Sequence, residues 1–228
     1  MKNLLYKEFK LSIHPLTYFF VGLMAMAALA PSFPSFVPLL YFGAAYTFLF
    51  IGMNKTTTTN DLLYTCMLPI KREDVVKARV FSTTFLQLYD LVLVFSFFAI
   101  NTFVFQASGS QTPDELGIIS LNLYQGIALL GVYLICLGVY DLIYMPWFYK
   151  NGKSIIANML VAVLTIMVLG GILTILPYVF AKDILTIGHA KANYILQFGI
   201  LLTGIGFWIC SKVLVIKLST KNLVKLDF

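Results

Sequence analysis

The chain has 228 residues, 60% hydrophobic and 11% charged, with a mean hydropathy of +0.88. A soluble domain carries about 25% charged residues, so the composition excludes an ordinary soluble enzyme or nucleic-acid-binding domain and belongs to an integral membrane protein. The net charge of +6 matters less for its sign than for its placement along the chain.

Residues 1–14 read as an amphipathic helix. Leu5, Phe9 and Ile13 recur at four-residue spacing, with Lys2, Lys7 and Lys10 toward the other side. Such a helix lies in the membrane interface with its lysines on an anionic leaflet. Six apolar runs follow, at 16–29, 36–53, 80–105, 116–144, 155–180 and 193–216. A run of about 20 apolar residues crosses a bilayer as a helix, so the expected fold is an all-α membrane protein with six transmembrane helices. Pro31 and Pro34 make a tight turn between the first two. Gly170, Gly171 and Pro177 are bend points in the fifth. A basic tail at 217–228 closes the chain.

The longest polar interruption is residues 54–79, NKTTTTNDLLYTCMLPIKREDVVKAR. Asn60 is a good helix N-cap and Asp61 sits where the helix dipole favours an anion. Pro69 breaks that short helix, and a new one starts near Lys71 and runs into the third span. A second interruption, 145–154, reads MPWFYKNGKS. Fourteen of the sixteen basic residues fall on one side of the six spans, leaving Lys182 and Lys191 on the other. The positive-inside rule therefore places both termini, residues 54–79 and residues 145–154 in the cytoplasm.

Several chemistries lack their residues. No HExxH occurs, and the only two histidines, His14 and His189, fall on opposite sides of the expected membrane. The Gly152-Lys153-Ser154 triplet has Trp147 where a phosphate loop needs its first glycine. Cys66, Cys136 and Cys210 have no metal or redox spacing and are expected as free thiols.

Asp90 lies about eleven residues into the third span, roughly 16 Å deep and near the bilayer midplane. A carboxylate there is costly and faces protein or water. It is a transport candidate or a packing hydrogen bond, and Asn101 is a weaker version of the same argument. Asp141 is expected to pair locally with Lys150 and Lys153. Glycines 131, 138, 199, 204 and 206 permit close helix approach, read first as internal packing. In the cytoplasmic interruptions, Leu62, Leu63, Tyr64, Leu68, Pro69 and Ile70 present apolar surface, as do Pro146, Trp147, Phe148 and Tyr149. Apolar and aromatic anchors ringed by charge suit a protein interface or a place on the headgroup layer.

At these interruptions the chain resembles the permease subunits of small bacterial type-2 ATP-binding-cassette exporters. The likeness rests on the lysine-rich start MKNLLYKEFKL, on Leu68-Pro69-Ile70-Lys71-Arg72-Glu73 with the following Val75-Val76-Lys77, and on Pro146-Trp147-Phe148-Tyr149-Lys150-Asn151-Gly152-Lys153. Lys71 departs from the serine or threonine usual at that helix start. The resemblance implies a six-span permease in a bacterial cytoplasmic membrane. It would pair with an identical or homologous permease and bind separate cytoplasmic ATPases that hold the ATP and Mg, with no cofactor of its own. Asp61 through Ile70 would be the coupling helix, with Arg72 beside it. Pro146, Trp147, Phe148, Tyr149 and Lys153 would be a second contact, and the N-terminal helix an interfacial elbow. Amphipathic or antimicrobial peptides of the phenol-soluble modulin kind would be the substrates. The alternative is a membrane-embedded immunity or sensor protein that binds a peptide without moving it. An ATPase purified with the chain separates the two.

Overall fold

The computed structural model describes residues 2–13, 15–26, 65, 70–107, 123–150, 155–185 and 194–225. Among them the chain is helical, with no strand. α1 (Lys2–Lys7) passes into a π-helical turn, Glu8–Ser12, and α2 (Pro15–Ala25) follows. Then come α3 (Arg72–Ala107), α4 (Leu123–Lys150), α5 (Ile155–Leu185) and α6 (Tyr194–Val224). The expected second span, the turn at Pro31 and Pro34, and most of the 54–79 interruption lie outside the described residues.

Three stretches, Arg72–Phe97, Leu130–Lys150 and Ile195–Val224, are long and apolar enough to cross a membrane; Pro15–Ala25 and Leu160–Leu173 are shorter apolar helices. α4 is the axis of the bundle: 61% of its stretch is buried, against 17% for that of α6. Its buried face carries Tyr133, Leu137, Tyr140, Tyr144 and Phe148, at the three- and four-residue spacing that aligns side chains along one side of a helix. α6 lies closest to it. A methyl group built on Gly131 would stand 2.6 Å from the Ile200 carbonyl oxygen, and one on Gly204 would run into the Gly131 backbone. The two helices touch backbone to backbone there, as small residues allow inside a bilayer. Gly199 and Gly206 face nothing within 4 Å, so they take no part in that seam.

Three hydroxyls near the start of α3 are satisfied by their own helix. Ser82, Thr83 and Thr84 donate to the carbonyls of Arg79, Val80 and Val80 at 2.8, 2.9 and 2.7 Å. This removes the cost of an unmet donor where no water is available.

Two boundaries differ from the sequence expectation. Residues 145–150 do not form a link, because α4 runs on through Pro146 to Lys150. Tyr140 stacks on Tyr144 at 5.5 Å, and the Tyr144 and Phe148 rings meet at a 35° tilt with 6.1 Å between centres. Keeping that four-residue register buried outweighs the proline, which neighbouring helices make tolerable in a membrane bundle. At the other end of the chain, α6 continues to Val224, so the basic tail is for the most part helix.

Candidate functional site: the basic end of the bundle

The N-terminal segment, the start of α3 and the last turns of α4 and α6 meet at one end of the bundle. α3 begins with Glu73 and Asp74 in its first turn, where the dipole favours anions, and Glu73 pairs with Lys77 one turn on at 2.6 Å. Lys71 is the residue before the helix, its carbonyl accepting from the Asp74 amide at 2.9 Å. Arg72 reaches across to α6, donating through Nη1 to the carbonyls of Leu223 and Val224, each at 3.1 Å. A cation on the free carbonyls of a helix C-terminus satisfies acceptors and opposes the dipole at once. Asn222 completes the joint by donating to the Pro146 carbonyl at 2.8 Å.

About two turns further in along α3, Arg79 makes a forked pair with Glu8. Nε stands 3.2 Å from Oε2 and Nη2 3.3 Å from Oε1, with both side chains almost wholly buried. The guanidinium also lies 5.5 Å from the centre of the Phe148 ring, a cation–π distance. The expected stripe of Leu5, Phe9 and Ile13 is therefore only part of the buried face. Leu4, Glu8 and Ile13 are the buried residues, while Leu5 and Phe9 are half-buried. The π-helical turn explains the shift: the Ile13 amide bonds the Glu8 carbonyl at 3.0 Å, a bond that spans five residues where an α-helix spans four. Leu4 packs with Val75 and Ala78 of α3, with Leu5 and Ile70 beside them. Lys7 donates to the buried Thr65.

Deeper in the bundle is a second polar group. Gln87 of α3 donates through Nε2 to both carboxylate oxygens of Asp141 on α4, at 3.1 and 3.0 Å. Lys212 of α6 pairs with Asp141 and donates to Gln87 Oε1 at 2.6 Å. That same oxygen accepts from Trp208 Nε1 at 3.2 Å. Among the described residues Asp141 thus pairs with Lys212 and not with Lys150. Helix geometry accounts for this, since Asp141 points inward at α6 while Lys150 is exposed, and Lys153 lies outside the described residues.

No protein-family model, curated protein or solved structure matches the chain. The reading of the site therefore rests on its residues. Among those proposed from sequence, Ile70, Arg72, Pro146, Phe148 and Tyr149 are brought together at the basic end, the last three buried and Trp147 exposed. Asp61, Leu62, Leu63, Tyr64, Leu68, Pro69 and Lys153 lie outside the described residues. Asp90 faces the interior at 1% exposure, and its Oδ1 has no hydrogen-bond partner among the described residues. Tyr133 of α4 is within electrostatic reach. Asn101 is on α3, with its side chain outside the description.

Glu8, Gln87, Trp208, Lys212 and Asn222 were not singled out from sequence. Gln87 and Lys212 carried a signal, as strongly polar residues inside apolar runs. Among the described residues no group of three His, Cys, Asp or Glu side chains could hold a metal. Cys136 is a buried free thiol and Cys210 an exposed one, while Cys66 lies outside the description.

Proposed function

We propose that the chain is the permease subunit of an ATP-driven exporter, with six spans and both termini in the cytoplasm of a bacterium. In this reading a separate ATPase supplies the energy and a second permease, identical or homologous, completes the path. Amphipathic peptides are the substrate class. The observation that carries the proposal is the Arg79 hub. A single guanidinium meets Glu8 of the N-terminal segment, Phe148 of the α4 motif and, through its own helix, the segment that follows Pro69. These are the three segments that the family resemblance assigns to the elbow, the second contact and the coupling region. A push on residues 61–70 would pass through Ile70 and Arg72 into a 36-residue helix. It would reach α6 through the Arg72 bonds and α4 through Arg79 and Phe148. A coupling device needs this linkage, because force on a cytoplasmic link does nothing unless the link is stiffly joined to the spans.

Captured from its host membrane in mild detergent, the tagged chain is expected to bring down a nucleotide-binding subunit and ATP hydrolysis. Leu63→Asp is expected to release it, and Pro69→Ala to weaken it. If wild-type protein captures no nucleotide-binding partner, the exporter reading fails, and a peptide-binding immunity or sensor role takes its place.

A further inference from the structure

One stripe of α6 changes chemistry along its length. Phe207, Cys210 and Leu214 are exposed and uncharged, and Lys217, Lys221 and Lys225 continue the same line, also exposed. The steps of three and four residues keep the first five on one side of the helix, and Lys225 follows in the turn at its end. The opposite side, Ser211, Val215, Ser219 and Leu223, is buried in the bundle. Lys212 lies on that inner side and is neutralised by Asp141. The side chains of the three outer lysines have no ion-pair or hydrogen-bond partner among the described residues.

Depth decides what meets them. A hydrocarbon core about 30 Å thick takes about 20 helical residues, which from Ile195 reaches Leu214. The lysines begin within a turn of that boundary and climb through the headgroup layer. The helix end that carries them is fixed, because Arg72 holds the Leu223 and Val224 carbonyls and Asn222 holds that of Pro146.

We propose that this stripe binds an anionic phospholipid, acyl chain along Phe207, Cys210 and Leu214 and phosphate against Lys217 and Lys221, with Lys225 adding charge. The occupant follows from continuity: the molecule that covers an apolar membrane face and ends in a negative group at its edge is a lipid. A zwitterionic headgroup cancels its own phosphate and gains little from the row. The proposal depends on the helix crossing a membrane and is independent of the exporter reading.

Full-length protein in mild detergent is titrated with phosphatidylglycerol or phosphatidylcholine, and retained lipids are counted by native mass spectrometry. Wild type is expected to hold phosphatidylglycerol roughly tenfold or more tighter. Lys217→Gln/Lys221→Gln/Lys225→Gln should abolish that preference, and the triple arginine variant should keep it. Equal retention of the two lipids by wild type overturns the proposal, without reliance on any variant folding. An unchanged preference in the glutamine variant also overturns it. If that variant instead loses a co-purifying ATPase while keeping the lipid preference, the row is a protein-docking face.

Discussion

Glu8 and Arg79 illustrate how a buried charge is held in this protein. Each side chain is at least 94% buried, and the forked geometry pairs both carboxylate oxygens. Breaking such a pair from one side leaves an uncompensated charge and costs about 3–5 kcal/mol, whereas replacing both partners with apolar groups is often close to neutral. Glu8→Gln is therefore expected to lower the melting temperature in detergent sharply. Glu8→Leu combined with Arg79→Met is expected to recover most of the loss while uncoupling the N-terminal segment. Thermal unfolding of the two variants side by side checks this, and a double variant as unstable as the single one would mean the pair does more than neutralise.

The Asp141–Lys212 pair makes a different prediction, because Gln87 bridges it. Gln87 gives Nε2 to Asp141 and takes hydrogen bonds on Oε1 from Lys212 and Trp208. Its amide orientation is set by the sign of its neighbours. Asp141→Lys alone and Lys212→Asp alone should each reduce the yield of folded protein. The exchanged double variant should restore it only in part, since Gln87 can turn its amide but Trp208 can only donate. Full restoration would show that Trp208 contributes nothing to the network.

Among the helices, α4 and α6 share the tightest seam. Gly204→Val inserts an isopropyl group where the Gly131 backbone already stands, and overpacking of this kind costs about 1–3 kcal/mol or more. Gly206→Val, two residues away, meets open space and should leave stability unchanged apart from a small gain in helix propensity. Comparing the two melting temperatures tests the seam, and equal losses would count against it. The sequence could list both glycines but not tell them apart, because which face meets α4 is decided by packing. The same limit explains Pro146. Its residue type reads as a breaker, and only the buried Tyr140, Tyr144 and Phe148 register reveals a helix that continues. What was legible was the helical, apolar character of the chain and the positions of the polar interruptions. Partners across the bundle, such as Lys212 for Asp141 or Leu223 for Arg72, were not legible, because nothing in local spacing brings residues so far apart into contact.

For the molecule as a whole, the polar contacts form a gradient. The Arg72 bonds to the end of α6 lie outermost, the Arg79 hub about two turns further in, and the Gln87 network about two turns beyond that along α3. Asp90 comes last, almost a turn deeper, with one oxygen unmatched among the described residues. Charges thin out toward the apolar middle, as the cost of burying them rises with distance from water. This order requires the start of α3, the end of α4 and the end of α6 to lie on the same side of the membrane. Single cysteines introduced at the exposed positions Lys71, Lys150 and Lys221, in a background lacking Cys66, Cys136 and Cys210, give a direct check. In sealed spheroplasts a membrane-impermeant thiol reagent should label none of the three, and in inside-out vesicles all three. Labelling of Lys150→Cys on the opposite side from Lys71→Cys would break the bundle into a different threading, because α4 could not then supply the Pro146 carbonyl to Asn222. It would also remove the common end through which force on the segment before α3 could reach the other helices.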